Sequence, residues 1–149
     1  MVLSFLESLI PPLVAVPGVK VGIANTVSLF VLCSLGAPSA LLVSLVRVSL
    51  SSLLFGSFVS FIYSLFGALL SLAVMTLFKK LGVFSMVGIS VIGGVFHNIG
   101  QITAAILVMK SAAIIVYLPP LLISGVVAGV IVGILSGLVL QKIKPYVMR

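Results

Sequence analysis

Long apolar segments, separated by short breaks rich in proline, glycine or lysine, run the whole length of this chain. The breaks leave segments at residues 1–10, 21–35, 39–54, 57–78, 85–109 and 119–140. A membrane-spanning helix needs about 20 apolar residues, whereas a membrane β-barrel shows shorter segments of alternating hydrophobicity. The pattern therefore predicts an all-α, polytopic membrane protein with about six transmembrane helices. Residues 1–149 are expected to form a single integral membrane domain.

Composition excludes a soluble protein. Only 6% of the residues are charged and the mean hydropathy is +1.54, whereas soluble domains average about 25% charged residues. We expect a multi-pass protein of the plasma membrane, with the lipid bilayer as a partner. The net charge of +7 raises the question of whether the protein binds nucleic acid. The basic residues form no stripe and no nucleic-acid motif, so no nucleic-acid partner is predicted.

The lysines indicate how the chain is oriented. A lysine pair at residues 79–80 closes one segment, and a basic cluster at residues 142–149 closes the last. Two crossings separate the clusters, so both can face the cytoplasm, where Lys and Arg are enriched in loops. Lys110 is then the exception on the outer side. With a short or tilted first helix counted as a crossing, both termini are predicted to be cytoplasmic.

A few polar side chains lie inside or at the edges of the apolar segments and form the candidate substrate-binding site. They are Lys20, Asn25, Arg47, His97, Asn98 and Gln101. Ionisable groups at membrane depth are costly, and by default they suggest a substrate or ion path. On a helix, residues 97, 98 and 101 occupy one side. The simpler interpretation is hydrogen bonding between helices, at about 0.6 kcal/mol per bond.

Glu7 is the only acidic residue of the chain. It is expected to act as an ion-pair partner of Lys20 or Arg47, or as a cation site. One basic group would then remain to favour an anionic ligand in a low-dielectric cavity.

Glycines recur every four residues in the last segment, at Gly125, Gly129, Gly133 and Gly137. Positions four apart lie on one helix face, and small residues let membrane helices approach closely. The face is expected to serve either for packing within the bundle or for docking a separate membrane subunit. Spacing alone leaves both interpretations open.

The sequence contains no pattern typical of an enzyme. It has no paired carboxylates, no CxxC or HxxxH metal spacing, no GxSxG motif and no phosphate loop. Magnesium sites on phosphorylated substrates need carboxylate ligands. We therefore expect no catalytic residue, no metal site and no cofactor.

Several blocks resemble the Gx transporter family of small membrane proteins, whose members are also labelled heptaprenyl diphosphate synthase component I. PGVKVGIAN at residues 17–25 is similar to the family's PGVKLGLAN signature, and HNIGQ at residues 97–101 resembles its HNxGQ block. Further similar blocks are Glu7 followed by two prolines, Arg47 followed by LFGS at residues 54–57, and YLP at residues 117–119 followed by Ser124-Gly125. The resemblance covers nearly the whole chain.

This family is similar to the S components of energy-coupling-factor transporters, which capture a substrate and dock on a transmembrane coupling subunit with ATPases. The resemblance implies an S-component-like bundle and a substrate-binding subunit of an uptake transporter. Its substrate would be a small molecule, anionic or related to a vitamin, a cofactor or an isoprenoid. The polar residues would line or support the pocket. Relatives have a longer first helix, which contributes to coupling in S components, so this departure bears on docking.

Two alternatives remain. The family's other label implies a non-catalytic membrane accessory subunit of heptaprenyl diphosphate synthase, in the synthesis of the menaquinone side chain. A prenyl synthase works through aspartate-rich motifs, and this chain has no aspartate, so it is not the catalytic subunit. The last alternative is a structural membrane protein that forms a homo-oligomer through its glycine face.

Overall fold

A computed structural model describes residues 25–147, with side chains described through residue 142. Its helices are α1 (Asn25–Ser34), α2 (Ala37–Phe55), α3 (Phe58–Leu81), α4 (Met86–Met109), a 3-10 helix (Ala112–Tyr117) and α5 (Leu118–Val147). There is no strand in this part of the chain, and the prediction of an all-helical protein is confirmed.

Four stretches of the described chain are long and apolar enough to cross a membrane: α2, α3, α4 and Ala112–Lys142, which includes most of α5. The helix α1 is apolar but has only 10 residues. The predicted segment at residues 1–10 lies outside the described residues, as do Glu7 and Lys20. Four of the expected crossings are therefore found as long apolar helices, and the total of about six stays a prediction.

Serine and glycine set most of the helix ends. Ser57 and Ser85 cap the N-termini of α3 and α4, each hydroxyl accepting a hydrogen bond from a backbone N–H three residues on, at 3.2 Å. Gly82 follows α3 with a φ of 68°, which suits a residue without a Cβ. Two features were not predicted: the 3-10 helix, and the extension of α5 beyond residue 140. Glutamine and lysine are good helix formers, so α5 continues after its apolar stretch ends.

The helix α4 lies at the centre of the fold, between α3 and α5, and both neighbours run antiparallel to it. In the most apolar 18-residue stretch of each helix, 28% of the stretch is buried in α2, compared with 44% in α3 and 44% in α4. The helix α2 is therefore peripheral.

Two apolar clusters fill the interior. One comprises Leu29, Val31, Leu32, Ala40, Leu72, Met75, Ile89 and Val132, and the other Tyr63, Ile102, Ala104, Ala105, Ile114 and Leu121.

The lysine clusters share one end of the bundle. Lys79 Nζ, near the end of α3, donates a hydrogen bond of 2.5 Å to the Leu32 carbonyl near the end of α1. Gly133 of α5 lies against Val87 at the start of α4, so the C-terminal part of α5 reaches that same end. Lys110, which follows α4, lies at the opposite end. Among the described side chains, Lys79 and Lys142 therefore lie toward one end of the bundle and Lys110 toward the other, and the side of the membrane that each end faces stays a prediction.

Candidate functional site

Three polar residues of α4 lie in a layer between the two apolar clusters. His97 is 4% exposed, and Asn98 and Gln101 are fully buried. The Gln101 Nε2 and His97 Nε2 atoms are 3.0 Å apart and share a hydrogen bond. Both side chains rest on α3 at Gly67, where a Cβ would lie 2.9 Å from Gln101 Cγ and 3.0 Å from His97 Cε1. The absence of a side chain at Gly67 is what lets the pair fit between the helices.

Asn98 joins α4 to α5. Its Nδ2 donates to the Leu121 carbonyl oxygen at 2.5 Å, and the Ser124 hydroxyl donates to the same oxygen at 2.9 Å. The Asn98 amide therefore makes a hydrogen bond between helices, as the simpler interpretation of these polar residues predicts. Its other polar atom, Oδ1, is buried without a hydrogen-bond partner in the part of the chain that the structure describes.

Asn25 belongs to a second hydrogen-bonded chain, which joins three helices. Its Nδ2 donates to Ser71 Oγ at 3.0 Å, and Ser71 Oγ donates to the Gly93 carbonyl at 2.8 Å. These contacts link α1, α3 and α4. Gly93 lies one helical turn before His97, so Asn25 is close to the His97–Gln101 pair without touching it through a described hydrogen bond. A cavity of about 10 Å³ beside Asn25 is also lined by Ser90 and Gly94.

Arg47 lies at the middle of α2 and is half-buried. Its Nε and Nη2 atoms are shielded from solvent. The guanidinium is close enough to the imidazole of His97 for the two groups to interact electrostatically. Arg47 also lines an open cavity of about 270 Å³, whose other walls are Val27 of α1 and Leu42, Val43, Val46 and Leu50 of α2. A single cation therefore faces an otherwise apolar cavity.

The structure brings the predicted residues together unevenly. His97, Asn98 and Gln101 share one layer, Arg47 is close enough to His97 for an electrostatic interaction, and Asn25 adjoins the layer through Ser71 and Gly93. Lys20 and Glu7 lie outside the described residues, so their roles stay predictions.

The glycines of α5 lie against α4. A Cβ at Gly125 would lie 2.9 Å from the Gly94 carbonyl oxygen, one at Gly129 2.6 Å from Val91 Cα, and one at Gly133 2.7 Å from Val87 Cα. Gly137 has only the Met86 sulfur, 4.0 Å away. Three of the four glycines are thus covered within the chain. That stretch of the face is not free to receive a second copy or another subunit.

Serines of the interior also make polar contacts, which were not predicted. Ser71 is fully buried between Asn25 and Gly93, and Ser64 and Ser90 are also buried. The signal was present, because Ser60, Ser64, Gly67 and Ser71 recur at helical spacing on one face of α3. Among the described residues, no group of three or more His, Cys, Asp or Glu side chains is placed to hold a metal ion.

Comparison with known proteins gives a match to a family model. The model describes heptaprenyl diphosphate synthase component I, and it matches residues 1–139. No curated protein and no solved structure matches the chain. Because the match covers most of the sequence, the chain belongs to the heptaprenyl diphosphate synthase component I family.

Proposed function

We propose that this chain is a non-catalytic, substrate-binding membrane subunit, similar to the S components of energy-coupling-factor uptake transporters. The single observation that carries the proposal is the position of Arg47. The Arg47 side chain lines an otherwise apolar cavity at mid-helix depth, and its charge interacts with a buried histidine. A charge at that depth is costly, and such residues are retained chiefly where they contact a substrate or an ion.

The chemistry of the cavity favours an anionic ligand with an apolar part. A cation in a low-dielectric environment attracts an anion far more strongly than the same cation in water. The remaining walls are aliphatic, so a hydrocarbon portion of the ligand gains from burial beside them. The volume of about 270 Å³ is just below the range of roughly 300–1,000 Å³ typical of small-molecule sites. A small isoprenoid-related anion meets these requirements.

In this proposal Lys20, Asn25, His97, Asn98 and Gln101 line or support the pocket, and Glu7 is an ion-pair partner or cation site. The Oδ1 of Asn98 and the Nδ1 of His97 are buried without partners among the described residues. Oδ1 can therefore accept a hydrogen bond, and Nδ1 can accept or donate one according to the tautomer. Energy for uptake would come from a transmembrane coupling subunit with ATPases. The lysines at one end of the bundle would face the cytoplasm, which orients the chain in the plasma membrane.

The family match favours a second candidate function. The chain would then be a membrane accessory subunit of heptaprenyl diphosphate synthase that receives or positions a prenyl product. The same Arg47 cavity would hold a prenyl diphosphate. This candidate predicts a stable association with a soluble prenyl synthase, whereas the transporter candidate predicts association with a membrane coupling subunit.

Mass spectrometry of small molecules released from the detergent-purified protein tests the proposal. The comparison uses wild type, Arg47→Gln, which removes the charge, and Arg47→Lys, which keeps it. We expect an anionic compound in wild type, its loss in Arg47→Gln and partial retention in Arg47→Lys. A wild type that releases only bulk phospholipid, to the same extent as Arg47→Gln, would contradict ligand binding at this site.

A further inference from the structure

A second cavity, distinct from the one beside Arg47, opens between the end of α2 and the start of α3. It has a volume of about 340 Å³ and is lined by Ser49, Ser52, Leu53, Ser57, Phe58 and Phe61. No charged side chain is among these lining residues. The cavity, called the α2–α3 groove below, lies at the end of the bundle opposite Lys79.

Hydroxyl groups continue from this groove into the interior. Ser52 is 8% exposed and Ser60 is 3% exposed. The two are held together at Gly56, where a Cβ would lie 3.2 Å from Ser52 Cα and 3.5 Å from Ser60 Oγ. Ser64 follows Ser60 by one helical turn on the same face of α3. Gly67, where His97 and Gln101 rest, comes one further turn along.

Polar atoms along this path lack partners. The hydroxyls of Ser52 and Ser64 and the Nδ1 of His97 are each buried without a hydrogen-bond partner in the described chain. A buried hydroxyl without a partner costs roughly as much as a lost hydrogen bond, and such atoms are normally satisfied by ordered water or by a ligand. These three atoms belong to three different helices and lie in order from the groove to the His97–Gln101 pair.

We propose that water occupies this serine seam, residues 52, 60 and 64, and that the α2–α3 groove is the entrance through which a polar ligand reaches His97. Hydration of the seam is inferred from the unpartnered hydroxyls of Ser52 and Ser64, whereas its use as a ligand route rests on the proposed function. The peripheral helix α2 forms one wall of the entrance. Its inner face carries mainly small residues, so a modest displacement of α2 would widen the path without breaking a large apolar contact.

Accessibility of an introduced cysteine tests the seam. In a Cys33→Ser background, Ser64→Cys is compared with Ala68→Cys, a matched control one turn further along α3 whose native residue is 3% exposed. A membrane-impermeant methanethiosulfonate reagent is applied to protein in vesicles from either side. We expect Ser64→Cys to react more than about tenfold faster than Ala68→Cys, because the thiolate, which forms where water is present, attacks the reagent and displaces methanesulfinate. The faster reaction is expected from the side that carries Lys110.

A tryptophan reporter supplies a second measurement, since the chain has no native tryptophan. Phe61→Trp, in the groove, is compared with Phe66→Trp, whose native side chain is 46% exposed on the outer surface of α3. Aqueous iodide is expected to quench the tryptophan fluorescence of Phe61→Trp more than that of Phe66→Trp. Brominated lipid is expected to quench Phe66→Trp more than Phe61→Trp. Equal quenching by lipid at both positions would show that hydrocarbon fills the groove, and it would overturn the entrance.

The outcomes separate this proposal from the proposed function. Equal, slow labelling of Ser64→Cys and Ala68→Cys in a protein that still retains its ligand overturns the seam alone. Faster labelling of Ser64→Cys from the Lys79 side overturns the groove as the entrance. A reactive Ser64→Cys in a protein that releases no anionic ligand leaves the seam hydrated and contradicts the route.

Discussion

Gly94 and Gly125 bring the backbones of α4 and α5 into contact, and a Cβ added at Gly125 would lie 2.9 Å from the Gly94 carbonyl oxygen. This approach places the Asn98 amide within hydrogen-bonding distance of the Leu121 carbonyl, one turn away on each helix. Without a hydrophobic drive between helices in lipid, small residues and interhelical hydrogen bonds are what hold such a pair together. The polar layer therefore depends on the glycine contact.

The glycine face of α5 can be tested with two substitutions of the same kind. Gly129→Ala places a methyl group 2.6 Å from Val91 Cα, and we expect it to destabilise the protein by about 1–3 kcal/mol, the usual cost of overpacking. Gly137→Ala, two turns along the same face, meets only a methionine sulfur at 4.0 Å and is expected to be neutral. Unfolding in detergent with increasing denaturant measures both. Equal effects would contradict the assigned contact.

The buried serines give a second matched pair. Ser71→Ala removes two hydrogen bonds, with Asn25 and with the Gly93 carbonyl. We expect it to lower the free energy of unfolding by about 1 kcal/mol, given an average near 0.6 kcal/mol per bond in membrane proteins. Ser90→Ala removes a hydroxyl that has no partner in the described chain, and it is expected to be neutral or stabilising. A loss of stability at Ser90 that matches the loss at Ser71 would argue for a bound water beside Ser90.

Lys79 provides a test of the end of α1. Lys79→Met keeps the apolar stem and removes the hydrogen bond to the Leu32 carbonyl. Cations near a helix C-terminus contribute about 0.3–1 kcal/mol, so a loss of that size is expected in the unfolding free energy. Lys80→Met is the control, since it removes the same charge from the same last turn of α3. Equal losses of unfolding free energy in the two variants would show that the positive charge matters and the hydrogen bond to Leu32 does not.

A hydrogen bond between α1 and α2 can be measured by a double-mutant cycle. The hydroxyls of Ser28 and Ser44 are 2.7 Å apart and both residues are buried. Ser28→Ala, Ser44→Ala and the double variant are compared by thermal or denaturant unfolding in detergent. We expect a coupling free energy of about 0.6 kcal/mol, with an upper bound near 1.7 kcal/mol. Additive effects, with no coupling, would contradict the contact.

Much of the fold followed from the hydropathy pattern alone. The bounds of α3 and α4 agree with the predicted segments to within about three residues, since serine caps and terminal glycine are local signals. The polar cluster on α4 was also predicted, because its three residues are neighbours on one helix. Local spacing was enough for these features.

The side-chain contacts between helices could not be predicted from the sequence. Asn25 and Ser71 are 46 positions apart, and nothing in their local patterns indicates that their side chains meet. Such pairs depend on where the helices cross. Gly67 and Gly100 set the close approach of α3 and α4, and Gly94 that of α4 and α5. The 3-10 helix after α4 was missed for a similar reason, since its residues are apolar and continue the hydropathy of α5. The cavity beside Arg47 and the α2–α3 groove depend on the peripheral position of α2, which no local pattern indicates.

The inner face of α2 has a consequence for how the molecule comes apart. Its buried residues are Ala40, Ser44, Val48, Ser51 and Ser52, so no apolar side chain of this helix larger than valine is fully buried against the rest. Pulled mechanically from its N-terminal side, the chain is expected to lose α2 at low force. The glycine-packed trio of α3, α4 and α5 would then leave the bilayer later, as one resistant block.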